Sequence, residues 1–306
     1  MRHPNSELPA PNLIALFGPT GSGKSDLAEA LADRTGAQLV NADAFQVYRG
    51  LDIGTNKSAR RTEYKLIDIK EPNDSYGVGE FVMDASRILA KVFSEGRDAI
   101  IVGGTGLYIR ALFEEYREMA SSPDPALRKE LSQLGLNELL SRLDAVSPGN
   151  RVDRLNRIRV QRTLERALGD RRPLEFALPP FKKVKLGVEV EPKLLAENLD
   201  SRVIKLLEAG WVSEVKSLLS KGVLEESPAF RAIGYKEISR YLRGEITFEG
   251  MVDLVQIQTR QYAKRQRAWM RSEPKMFLVK RAELGTPSVA EIEATLNRIK
   301  QISNQG

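Results

Sequence analysis

The sequence predicts an α/β fold, a parallel sheet flanked by helices, with a small all-helical domain inserted into it. Three observations carry that prediction. An apolar run, Leu13 to Phe17, leads into GPTGSGKS at 18–25, and Leu27, Ala28 and Leu31 then recur at helical spacing. Two further short apolar runs, AQLV and Ala99 to Val102, each end in a polar or glycine turn before more helical sequence. Between about 116 and 178 the chain is helical in pattern and rich in arginine, with no strand candidate, until VKLGVEVE at 184–191.

Taken in order, residues 1–12, MRHPNSELPAPN, are polar and proline-rich and read as a flexible leader without a signal-type apolar segment. The core then runs over 13–115 and resumes over 179–306, with the insert at 116–178. Within the insert, SSPDPALRKEL places Pro125 near a first helical turn, where its missing N–H is harmless. The C-terminal third reads as helical. Parallel strands joined by helices place ligands at the strands' carboxyl ends, which is where Asp43 and Thr105 fall.

Composition narrows the chemistry. The 306 residues include no cysteine and one histidine, His3, so thiolate zinc sites and disulfides are excluded and a reducing cytoplasm is expected. A general base must be a carboxylate, a lysine, a tyrosine or the substrate itself. No apolar run approaches the roughly 18 residues of a membrane span. Net charge is +6, yet residues 151–172 carry a local +5 and residues 260–281 a local +7. Charge gathered in two places predicts a localised polyanion footprint.

Gly18 to Ser25 fits the phosphate-loop pattern G-x-x-x-x-G-K-[ST]. Backbone N–H groups and the helix N-terminus surround the anion, Lys24 adds charge, and the Ser25 hydroxyl suits Mg²⁺. The pattern names phosphate and leaves its carrier open. A hydrolysing ATPase usually holds Mg²⁺ with an aspartate ending an apolar strand; here that strand, AIIV, runs into Gly103-Gly104-Thr105. Asp43 is the one aspartate suitably placed after a strand, as a metal-side carboxylate, a base facing an acceptor, or a helix-capping residue. The loop AFQVYRGLDIGTNK mixes stacking groups, Phe45 and Tyr48, with Gln46 and Arg49, which suits a nucleobase. Arg260, Lys264, Arg267 and Arg271 share one helix face, with no acid between Asp253 and Glu273, and read as cations without local carboxylate partners.

GPTGSGKS, NADAFQVYRGLDIGTNK, GGTGLYIRAL, RAIGYKE (from Arg231) and TRQYAKRQRAWMR, in this order between Leu13 and Arg271, resemble the motifs of bacterial tRNA dimethylallyltransferases. The resemblance implies a P-loop NTPase-like core and transfer of a dimethylallyl group from its pyrophosphate to an adenine amine. That adenine lies 3′ of the anticodon in tRNAs reading codons that begin with U. It implies that Gly18, Pro19, Thr20, Gly21, Ser22, Gly23, Lys24 and Ser25 hold the pyrophosphate, with Mg²⁺ at Ser25. Asp43 would be the catalytic carboxylate, with Thr20, Lys24 and Arg231 beside the reacting group. Asp43, Ala44, Phe45, Gln46, Thr105, Arg128, Arg159, Arg162, Lys264 and Arg267 would contact the anticodon stem-loop, the insert serving as a tRNA-binding domain. Ala44, Tyr64 and Ile158 depart from the serine, histidine and glutamine usual at those places, while Glu165 fits. Catalysis by one cytoplasmic chain, a monomer away from any membrane, is expected. A transferase acting on free adenine nucleotide, a P-loop small-molecule kinase and a non-catalytic RNA-binding protein are the alternatives.

Overall fold

The computed structural model describes residues 10–114, 124–169 and 180–305. Six strands, β1 (Asn12–Phe17), β2 (Gln38–Asn41), β3 (Tyr64–Lys65), β4 (Ala99–Gly103), β5 (Lys182–Val190) and β6 (Phe277–Arg281), form one sheet in the order β3-β2-β4-β1-β5-β6. Every pairing is parallel. Phe17 stands opposite Gly103 on one side and Gly187 on the other, so β1, β4 and β5 deliver their carboxyl ends to one level.

Strands buried on both faces explain the uninterrupted apolar runs. Leu13, Ala15 and Phe17 point to one side, with Ala99 and Ile101, onto α2 (Val78–Ser94) and α3 (Gly106–Phe113). Ile14 and Leu16 point to the other, with Ile100 and Val102, onto α1 (Lys24–Thr35) and α11 (Val289–Ser303). Helices α4 (Pro125–Ser132), α5 (Leu136–Val146) and α6 (Arg157–Leu168) close a separate small core of Leu131, Leu139, Leu143, Val160 and Leu164. Asp124 caps α4 by accepting from Ala126 N at 2.8 Å, with Pro125 in the first turn. The insert boundaries expected at 116 and 178, most of the leader, and His3 lie outside the described residues.

After β5 come α7 (Pro192–Glu208), α8 (Trp211–Ser220), α9 (Tyr235–Leu242) and the long α10 (Phe248–Ser272). Trp211, Phe230, Tyr235 and Met251 form a third core under this layer. The C-terminal third is therefore not wholly helical, because β6 adds a sixth strand at the sheet edge. FLVKR alternates between partly buried and exposed residues and lacks the continuous apolar run that marks the central strands. Among the described residues no helix is long and apolar enough to cross a membrane.

Candidate active site

The loop between β1 and α1 turns on Gly21 and Gly23, at φ 76° and 72°, a left-handed backbone that glycine adopts without a Cβ penalty. Two of its carbonyls are tied from distant elements, and that of Gly23 also accepts from Leu27 N at 3.2 Å in α1. Asn198 on α7 donates to the Gly21 carbonyl at 2.9 Å, and Arg281 on β6 to that of Gly23 at 2.9 Å. Thr20 N donates to Gln266 Oε1 at 2.8 Å, while Gln266 Nε2 donates to the Gly104 carbonyl at 2.9 Å. Gln266, 4% exposed on the inner face of α10, thus bridges the phosphate loop to the glycine turn after β4.

Replacing Gln266 with leucine strands a backbone donor on one side and an acceptor on the other. Each such group costs about 1–3 kcal/mol when left without water. Urea unfolding of Gln266→Leu is expected to show a lower midpoint at unchanged slope; an unaltered midpoint would mean water replaces the amide.

A polar cavity of about 240 Å³ opens above the loop, lined by Thr20, Lys24, Ser25, Asp43, Gln46 and Arg202 among others. Asp43 follows β2, where Asn41 fixes its backbone: Asp43 N donates to Asn41 Oδ1 at 3.1 Å, and Asn41 Nδ2 donates to the carbonyls of Asp43 and Leu66. Asp43 Oδ1 accepts from Phe45 N at 2.9 Å and Gln46 N at 3.4 Å. One carboxylate oxygen therefore caps the turn, and the group still borders the cavity. Thr105 Oγ1 accepts from Ala44 N at 3.1 Å and joins this turn to the end of β4.

Two cations face Asp43. Part of Lys24 is open to the cavity, yet the protein packed around its ammonium pulls the pKa down to about 8, with Asp43 opposing and Arg202 assisting. Burial likewise lowers Arg202, against the pull of Asp43 and Asp26. Burial raises the Tyr262 hydroxyl, and Asp43 adds to the effect. The result is a cationic cavity with the Asp43 carboxylate in its lining.

The structure gathers the phosphate loop, Asp43 and Gln46, and it places other sequence expectations elsewhere. Arg231 is exposed at the end of a short 3₁₀ turn (Ala229–Arg231) and is not among the cavity-lining residues. Tyr48 is 2% exposed in the third core, so it cannot stack on an incoming base, and Arg49 pairs with Glu71 at 2.8 Å. The rest of that loop is held from outside: Glu214 accepts from the backbone N–H groups of Asp52, Ile53 and Gly54, and buried Lys57 donates to Asp52, Asp68 and the Tyr48 carbonyl. Phe45 packs on the same core, while Gln46 Nε2 donates to the Thr55 carbonyl at 3.1 Å. Tyr64 lines the cavity and donates to Glu29 at 2.9 Å.

The basic face of α10 also needs correction. Arg260 pairs with Asp200 on α7, and Arg271 with Glu189 on β5 at 3.0 Å, so acids distant in sequence partner two of its four cations. Lys264 is exposed, and Arg267 keeps a buried Nε without a hydrogen-bond partner. In the insert, Glu165, 4% exposed, accepts from Arg162 at 2.6 Å, Gln161 at 2.9 Å and Arg128 at 3.3 Å. Arg159 and Ile158 stand exposed beside that cluster.

Comparison with known proteins decides the family. The model described as "IPP transferase" matches residues 46–273, and one described as "Isopentenyl transferase" matches 11–70. The chain belongs to the IPP transferase family. Its relatives include tRNA dimethylallyltransferase 1 of Citrifermentans bemidjiense, 42% identical over 87% of this chain and 90% of that one. The tRNA dimethylallyltransferase of Geobacter metallireducens is 40% identical, over 87% and 92%. A solved relative, the full-length tRNA isopentenylpyrophosphate transferase of Bacillus halodurans, superposes with a TM-score of 0.73 at 30% identity, covering 96% and 97%. A eukaryotic dimethylallyltransferase acting on tRNA shares the fold, with a TM-score of 0.75 at 23% identity.

Within this IPP transferase, four residues beside the loop escaped the sequence reading: Asn198, Arg202, Gln266 and Arg281. Asn198 and Arg202 lie at i, i+4 along the flank of the Leu195, Leu199, Val203 stripe of α7. That spacing was visible, but nothing local says which cavity the flank meets.

Proposed function

We propose that this IPP transferase moves a dimethylallyl group from dimethylallyl pyrophosphate to the exocyclic amine of the adenine 3′-adjacent to the anticodon. Its substrates would be tRNAs reading codons that begin with U. The C–O bond to pyrophosphate breaks, the C–N bond forms, the amine proton passes to Asp43, and pyrophosphate leaves. An adenine amine is a poor nucleophile, but the allylic carbon carries positive charge as the leaving group departs. Rate then depends on charge placed where pyrophosphate charge grows, and on holding the amine in line. Lys24, the loop N–H groups and Arg202 supply the charge, with Arg231 the further cation that the family resemblance implies. Asp43 orients the amine and takes its proton as the new bond forms.

The observation that carries this reading is the end of β4. A Cβ at Gly103 would lie 2.2 Å from the Ala42 carbonyl oxygen, so no side chain fits where a hydrolysing ATPase holds its metal-binding aspartate. The carboxylate stands instead at Asp43, which lines the cavity. A divalent cation suits the donor set: the Ser25 hydroxyl and the Asp26 carboxylate line the cavity, and Mg²⁺ favours such oxygens together with those of a phosphate ligand. Among the described residues no group of three or more acidic or histidine side chains forms a metal site of its own. When bound, Mg²⁺ would offset charge on the departing pyrophosphate.

An adenine stacked in the anticodon arm cannot reach Asp43, so the base must leave the stack. The insert, with Arg128 and Arg162 gathered over Glu165 and Arg159 beside them, and α10, with Lys264 and Arg267, are proposed to hold the RNA backbone. Thr105, Ala44, Phe45 and Gln46 would border the extruded base. One chain carries all of these residues, which supports action as a monomer, and the substrate supports a cytoplasmic setting.

The deciding experiment mixes the protein, Mg²⁺ and radiolabelled dimethylallyl pyrophosphate with unmodified tRNA, AMP or no acceptor, beside an ATP-hydrolysis control. Label in tRNA alone is expected. Label in AMP alone would instead make this a free-nucleotide enzyme, and steady ATP hydrolysis without label would overturn the prenyl-transfer reading.

A further inference from the structure

Arg281 ends the edge strand β6, pairs in register with Val190, and is 3% exposed. Each of its three nitrogens makes one hydrogen bond. Nη1 donates to the Gly23 carbonyl at 2.9 Å, Nη2 to the Gly285 carbonyl at 2.9 Å, and Nε to Glu291 Oε1 at 3.3 Å. Glu291 is itself fixed in the first turn of α11, where its other oxygen accepts from Ser288 N at 2.8 Å and its N–H donates to Ser288 Oγ. A Cβ at Gly23 would sit 2.0 Å from Nη1, so the guanidinium lies directly against the turn.

The carbonyl that Arg281 holds belongs to the same peptide group as the N–H of Lys24. A trans peptide directs these two groups to opposite sides. Lys24 opens α1, so its N–H is one of the unpaired donors at the helix start that surround an anion. A cation hydrogen-bonded to the carbonyl polarises the peptide and makes its N–H a stronger donor. The same guanidinium also ties in Gly285, which with Leu284 forms part of the cavity wall.

We infer that Arg281 is a positioning residue for the donor's pyrophosphate, acting through the Gly23–Lys24 peptide from behind the phosphate loop. The inference rests on the reading that this loop holds pyrophosphate. Arg281 itself is not among the residues lining the cavity, so its effect belongs in donor binding and not in tRNA binding.

The test titrates inorganic pyrophosphate, with Mg²⁺ present, into wild type, Arg281→Met, Arg281→Lys and Lys24→Ala by calorimetry, alongside initial rates. Loss of a charge-assisted hydrogen bond predicts about tenfold weaker pyrophosphate binding and about tenfold higher donor KM for Arg281→Met. The KM for tRNA should stay within about twofold, since RNA is held elsewhere. Arg281→Lys keeps the charge with fewer contacts and should recover part of the loss. If the methionine variant does not fold, Arg281→Gln is read instead by its pyrophosphate-induced rise in Tm, expected to be smaller than that of wild type. Wild-type pyrophosphate binding in the Arg281 variants, with binding lost in Lys24→Ala, would overturn the role of Arg281 and leave the phosphate-loop reading intact. Wild-type binding in Lys24→Ala as well would overturn both.

Discussion

Asp43→Ala is expected to lower kcat by about 10²-fold or more, the usual contribution of a positioned proton acceptor, with tRNA affinity retained. The structure adds a second consequence of that change. Asp43 Oδ1 accepts from Phe45 N and Gln46 N, so alanine also removes a cap, worth about 1 kcal/mol in comparable settings. Asp43→Asn separates the two effects. Asparagine keeps the capping oxygen and the shape, but it neither accepts the amine proton nor carries charge opposite Lys24 and Arg202. A chemical role predicts that asparagine and alanine lose kcat equally, while only alanine lowers thermal stability. Recovery of kcat in the asparagine variant would reduce Asp43 to a turn-former and leave the amine proton without a protein acceptor.

How much of this was legible in the sequence depended on the range of the forces involved. The loop between β1 and α1 was legible because its constraints are local: the left-handed turns at Gly21 and Gly23 require glycine, and Lys24 opens the helix that follows. Strand β1 was legible because both its faces are buried and every residue from Leu13 to Phe17 is apolar. Strand β6 was not, since an edge strand half open to solvent shares its short mixed pattern with many loops. Asp43 was legible from its place after a strand. Arg281 and Gln266 were not, because their partners lie 258 and 246 residues away along the chain. Tyr48 and Arg260 failed for the same reason in the opposite direction. Each looked available for a ligand until the third core covered the one and Asp200 met the other.

Lys24→Met is expected to lower kcat/KM for the donor by about 10²–10³-fold, as for removal of other preorganised charge-stabilising groups. The pH dependence of the unmodified enzyme should identify the cause. Burial holds the ammonium at about 8, so in the free enzyme Lys24 is charged below that pH and neutral above it. A polyanionic donor binds the charged form, and donor capture should therefore fall above pH 8, approaching about tenfold per pH unit for a single essential proton. Once pyrophosphate is bound beside it, the ammonium is stabilised and its pKa rises. The kcat profile should then stay flat to higher pH than the kcat/KM profile, since kcat reports the bound complex and kcat/KM the free enzyme. Asp43 opposes the effect of burial, so Asp43→Asn should move the falling limb of kcat/KM to lower pH. A limb near pH 8 that persists unchanged in Lys24→Met would belong to another group and would end the claim that Lys24 captures the donor as a cation.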